Sequence, residues 1–142
     1  MSAYEMYQQN ILDRYRNPRN KGTLENPTIR YRENNPLCGD EIEILIVAEK
    51  GVVKDVKFEG KGCAISMSSV DMLVDHVKKK KLSDLLKMDR QDVLEMLGIP
   101  ITPPRLKCAL LGLGVLKVGI AKHEGQETNL DAAIADTKRP KP

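Results

Sequence analysis

The sequence predicts an α+β fold: a small antiparallel three-stranded sheet with helices packed on one side, in a single domain. Three observations carry this. Ile42, Ile44 and Ile46 alternate with other residues at period two, Lys50-Gly51 turns the chain, and a second strand-like run follows over residues 52–59. From Ser66 the apolar spacing becomes helical, with Met67, Val70, Val74 and Val77 at three- and four-residue steps. A last apolar stripe, Leu106, Ala109, Leu110, Leu113 and Leu116, predicts a long helix over about residues 105–122.

Taken in order, Ser2 followed by Glu5 is a capping-box pattern, and Tyr4, Tyr7, Ile11, Leu12 and Tyr15 then form one helical stripe expected to lie on the domain. Asn17-Pro18 ends that helix, because a residue before proline is pushed away from helical ψ. Residues 28–32 are read as a short edge strand. In the return strand Val52, Val56 and Phe58 are assigned to one face, and Val53, Asp55, Lys57 and Glu59 to the other. Gly60-Lys61-Gly62 breaks that strand. The lysines Lys78, Lys79, Lys80 and Lys81 close the following helix, where cations meet the negative end of its dipole. Ser83 and Asp89 are read as N-caps of two short helices, the second stopping at Gly98. Pro103-Pro104 opens the last helix, where a missing N–H costs nothing. The expected division is a domain over residues 1–124 and a mobile C-terminal tail over 125–142, with a frayed turn near 130–134.

With 142 residues the chain can bury a core without disulfide staples, and with no Trp and only Phe58 that core must be aliphatic. No run of eighteen apolar residues predicts a membrane span, and the N-terminal residues lack the basic-then-apolar pattern of a secretory signal. A cytoplasmic protein is expected. The net charge of +3 is spread over both signs, and its lysine clusters lack interleaved aromatics. That argues for solubility and against nucleic acid.

Three cysteines in a reducing compartment argue against a structural disulfide and leave three readings: inert core residue, metal ligand or nucleophile. All three are placed at element ends: Cys38 in the loop entering the first hairpin strand, Cys63 after the Gly-Lys-Gly break, and Cys108 in the first turn after Thr102-Pro103-Pro104. Such positions favour a thiolate. Asp40 stands two residues after Cys38 across Gly39, which lets both side chains face one centre. Three soft thiolates and one hard oxygen suit tetrahedral Zn(II) or an iron–sulfur cluster with one weak ligand, in an exposed site. Lys61 and Lys107 are close enough in sequence to support a thiolate. His76 and His123 are read as surface residues.

Asn35-Pro36-Leu37-Cys38-Gly39-Asp40, Gly60-Lys61-Gly62-Cys63-Ala64-Ile65-Ser66 and Pro104-Arg105-Leu106-Lys107-Cys108-Ala109 resemble, in order, the three signature segments of IscU/SufU-type iron–sulfur cluster assembly scaffolds (the NifU N-terminal-like family). The resemblance covers roughly residues 4–123. It implies that the chain accepts sulfur from a cysteine desulfurase, assembles a [2Fe–2S] cluster and transfers it to apo iron–sulfur proteins. It further implies that Cys38, Asp40, Cys63 and Cys108 hold the cluster, or Zn(II) at the same positions, with Asp40 the labile ligand. Cys108 becomes the sulfur acceptor and Lys107 the support of its thiolate. On this basis the chain is a carrier and not a turnover enzyme, acting as a monomer or as a homo-oligomer when cluster-loaded. Lys107 replaces the His of IscU-type members, and the motif flanks are SufU-like. The alternative implied is therefore a zinc-dependent sulfurtransferase that stimulates the desulfurase. The SufU-type insertion between the second and third motifs is nevertheless missing. Ile101-Thr102-Pro103-Pro104-Arg105 matches the family's Leu-Pro-Pro-Val-Lys chaperone motif only in part, which counts against recognition by a DnaK-type chaperone.

Overall fold

The hairpin is the centre of the molecule. The computed structural model describes residues 2–35 and 39–135. Strand β1 (Ile29–Asn35) pairs antiparallel with β2 (Asp40–Glu49), which pairs antiparallel with β3 (Val52–Lys61), in the order β1-β2-β3. Helix α1 (Ala3–Arg16) precedes the sheet. After it come α2 (Ala64–Val77), α3 (Leu82–Leu85), α4 (Arg90–Leu97), α5 (Pro103–His123) and α6 (Leu130–Ala133). The predicted three-stranded sheet with helices on one side is the observed architecture.

Ile42, Ile44 and Ile46 are all buried against the helical layer, as the period-two reading requires. The return strand corrects the predicted facing. Ala48 pairs with Val53 and Val47 with Asp55, so Lys54 is an extra residue in the ladder. That bulge moves Val53, fully buried, onto the same face as Val56 and Phe58, and leaves Val52 partly exposed. On the other face Arg30 pairs with Glu43 at 3.2 Å and Arg32 with Glu41 at 3.0 Å. Leu45 lies there too, only 1% exposed, between Arg30 and Lys57 in the ladder, whose aliphatic stems flank it.

The outer edge of β3 is covered at both ends. Phe58 donates its N–H to the Asn20 carbonyl and accepts from the Gly22 N–H, while the Val53 N–H is taken by the Lys80 carbonyl. The four lysines therefore do more than close α2: their backbone lies along the sheet edge and shields it. Behind that edge a buried polar cluster joins α1 to α2. Asp71, 0% exposed, accepts from Arg14 at 2.9 Å and from the backbone N–H groups of Arg19 and Asn20.

Local capping signals hold at Ser2, whose side chain accepts from the Glu5 N–H, and at Asp89, which forms a capping box with Asp92. Gly98 ends α4 at φ 71°, a left-handed cap that glycine adopts without strain. The N-cap of α3 is Lys81 and not Ser83. The stripe of α1 is only lightly used: Ile11 is buried, whereas Tyr4, Tyr7, Leu12 and Tyr15 stay exposed. In the segment read as a tail from residue 125, residues 125–129 are largely exposed, and α6 lies against α5. Leu130 and Ile134 lie against Gly114 of α5, and the Ile134 carbonyl accepts two bonds from Arg90. Residues 136–142 lie outside the described residues.

Candidate metal centre

Each described site residue is delivered by a different element. Asp40 opens β2 directly after Gly39, whose φ of 74° lets the loop turn and whose N–H bonds to the Asn35 carbonyl. Asn35 and Asp40 are the closing pair of the β1–β2 ladder, so the sheet fixes where the carboxylate begins. Cys63 is the N-cap residue of α2, in extended backbone, directly beyond the end of β3. Cys108 is the sixth residue of α5, after Pro103 and Pro104 at its first two positions.

These elements meet at one end of the sheet. One ligand atom each from Asp40, Cys63 and Cys108 fall within 4.8 Å of one another. The Cys63 Sγ lies 3.9 Å from Asp40 Oδ2, while Asp40 Oδ1 accepts the Cys63 backbone N–H at 3.1 Å. Tetrahedral zinc with Zn–S bonds near 2.3 Å would separate its ligand atoms by roughly 3.5–3.8 Å. The donor set fits a soft-thiolate metal site, with ligand atoms spread up to 4.8 Å apart.

The depth of the site differs from the expectation. Among the described site residues, Asp40 is 2% exposed and Cys108 3%, and only Cys63 is partly open. Cys108 sits in the second helical turn, where the packing of α5 on α2 reaches it, and not at the exposed helix start. As far as it is described, the site is a recess with one open thiol, Cys63. Lys107 is exposed on the turn beside Cys108, and Lys61 is exposed at the end of β3. His76 and His123 lie on the surface, as expected. Cys38, the fourth predicted ligand, lies outside the described residues.

Two further residues border the centre. Ser66, fully buried, donates its hydroxyl to the Cys63 carbonyl at 3.1 Å and stands 3.7 Å from the Cys63 Sγ. Gly62 faces both Asp40 and Ser66 at distances that leave no room for a side chain. Gly62 and Ser66 both stand in the Gly60–Ser66 segment that carries the family resemblance, but sequence reasoning assigned Gly62 only the role of ending a strand and Ser66 only a helical register.

An α+β domain that brings two thiols and a carboxylate from three elements to one recess presents a candidate thiolate–carboxylate metal site. The chain belongs to the family of the NifU-like N terminal domain, whose model matches residues 6–130. It is 39% identical over 137 residues to the zinc-dependent sulfurtransferase SufU of Bacillus subtilis (strain 168), covering 84% of this chain and 92% of that protein. It is 33% identical over 129 residues to the iron-sulfur cluster assembly scaffold protein IscU of Aquifex aeolicus (strain VF5), covering 89% and 82%. The fold is shared with FiSufU from Fervidobacterium islandicum AW-1 at a TM-score of 0.70 and 24% identity, covering 84% of this chain and 99% of that one.

Proposed function

We propose that this chain is an iron–sulfur cluster assembly scaffold that holds its cargo, a [2Fe–2S] cluster, on Cys38, Asp40, Cys63 and Cys108. The observation that carries this reading is the convergence of Asp40, Cys63 and Cys108 within 4.8 Å. Cys38 is the one remaining cysteine and stands two residues from Asp40 in the same loop. Thiolates are strong soft ligands and a single carboxylate oxygen is a weaker, harder one, so the oxygen position is where a cluster can be released to an apo-protein.

Sulfur enters from the persulfide of a cysteine desulfurase. Cys108 is 3% exposed and so must first be uncovered; its thiolate then attacks the terminal sulfur, the donor S–S bond breaks, and its electron pair leaves on the desulfurase thiolate. Cys108 then carries the persulfide. No net oxidation occurs in that exchange; turning the carried sulfur into cluster sulfide takes two electrons from an external reductant. Lys107, exposed on the adjacent turn, supplies positive charge near the acceptor thiol.

The test is anaerobic reconstitution with iron, cysteine and a desulfurase. A coloured [2Fe–2S] species that is lost on Cys63→Ser is the expected result. A colourless product that retains a full equivalent of zinc overturns the scaffold reading.

A second reading, a zinc-dependent sulfurtransferase acting beside the desulfurase, is favoured by the 39% identity to the Bacillus subtilis protein of that description. The same ligands would hold Zn(II), which lowers the pKa of bound thiols and keeps them ready for exchange. This reading requires the purified protein to multiply desulfurase turnover when present in catalytic amounts. Turnover that does not change removes it.

A further inference from the structure

Gly62 is not in a left-handed conformation, so backbone freedom does not explain it. Space does. A Cβ built at residue 62 would stand 2.6 Å from Asp40 Oδ1, 2.9 Å from its carboxyl carbon and 2.5 Å from Ser66 Oγ. Real carbon atoms do not approach so closely, and neither neighbour can easily retreat. Ser66 is fully buried in the first turn of α2, with its hydroxyl on the Cys63 carbonyl, and Asp40 is 2% exposed. The carboxylate thus occupies the volume that a side chain at residue 62 would fill.

That volume sets how Asp40 is used. Its Oδ1 points back through the gap and accepts the Cys63 N–H at 3.1 Å, and its Oδ2 points forward, 3.9 Å from the Cys63 Sγ. A carboxylate anchored through one oxygen has only the other directed at the thiols. We infer that Gly62 is a positioning residue: by leaving room for Asp40 against the Cys63 amide, it makes Asp40 a pre-placed, one-oxygen ligand. Ser66 closes the far wall of the same slot. A methyl group at residue 62 evicts the carboxylate while all four ligand residues remain in the chain. This inference rests on the metal-holding reading for its consequence in binding, but not for its geometry.

The experiment therefore has two arms, both on the full chain. In the metal-free arm, amide hydrogen exchange is read at Cys63. The Cys63 N–H should be protected in the wild type and in Asp40→Asn, whose amide oxygen can still accept it. It should exchange at least about tenfold faster in Asp40→Ala and in Gly62→Ala. Equal rates in Asp40→Asn and Asp40→Ala overturn the anchor, even should the Gly62 variant fail to fold.

In the zinc arm, Zn(II) affinity is measured against a chromogenic chelator. Gly62→Ala should weaken binding about 10- to 100-fold, as loss of a supporting contact at a metal site does. Because both changes remove the same ligand, the double variant D40A/G62A should bind within about twofold of D40A. Wild-type affinity in G62A, or losses that multiply in the double variant, overturn the inference. Recovery of affinity on adding Ser66→Gly to G62A would place the clash on Ser66 alone and also overturn it. A wild-type chain that binds no zinc refutes zinc binding at the site, and the amide-exchange arm then decides the geometry by itself.

Discussion

The two described thiols of the site stand in opposite surroundings. Cys63 caps a helix, is partly open, and has its amide held by Asp40 from another strand. Cys108 is in the second turn of a 21-residue helix that is buried along most of its length against α2, β1 and β2. Its neighbour Ala109 is fully buried, and the Ala109 carbonyl accepts the Ser69 hydroxyl of α2 at 2.7 Å. One wall of the recess is therefore set by core packing, and the other by a short polar junction. A site that must take in and release cargo needs both: a fixed ligand that keeps the geometry, and a margin that can adjust without unfolding the domain.

The contrast can be broken at several points. The largest effect is expected where α2 is fastened behind the site. Asp71→Ala leaves the Arg19 and Asn20 backbone N–H groups without their acceptor in a buried cluster and takes one of Arg14's two carboxylate partners, and should cost about 3 kcal/mol in urea unfolding. A loss below ~1 kcal/mol would mean that α2 is held by apolar packing alone. Next is the seam between the fixed wall and α2. Even a Cβ at Gly112 would lie 3.0 Å from Val70 Cβ, so Gly112→Val should cost about 2–3 kcal/mol. If it is tolerated, the Cys108 wall is less rigid than its burial indicates.

A smaller effect comes with acid. Burial pushes the Asp75 carboxyl up, but hydrogen bonds from Arg14, Asn20 and Lys78 outweigh it and hold the group below the usual carboxylate range. A depressed folded pKa gives stability that is present above the unfolded value, about 3.9, and lost as pH falls through the folded value. The urea midpoint should therefore drop below about pH 4, and Asp75→Asn should flatten that part of the curve. An unchanged acid limb in Asp75→Asn would remove Asp75 from the fastening of α2 to residues 14–20. The smallest effect on folding belongs to the adjustable margin. Cys63→Ser should change metal-free stability by no more than about 0.5 kcal/mol while abolishing tight zinc binding. A large loss of stability there would make Cys63 a core residue, and the contrast between the two thiols would fail.

By itself the sequence determined whatever is decided within a few residues. Ser2 with Glu5, Asp89, Gly98 and Pro103-Pro104 mark helix ends through hydrogen bonds and dihedral limits that need no distant partner. Lys50-Gly51 and the isoleucines of β2 specify the hairpin for the same reason. The site was legible as a set, because Asp40, Cys63 and Cys108 each follow or precede a turn signal that the chain spells out locally. Tertiary structure decided the rest. The bulge at Lys54 that turns Val53 inward, the lysine backbone along the edge of β3, the buried Asp71 and the docking of α6 all depend on residues far apart in the chain. So do the depth of Cys108 and the empty slot at Gly62. Burial and close approach are properties of pairs of surfaces, and a single strand of sequence carries only one surface of each pair.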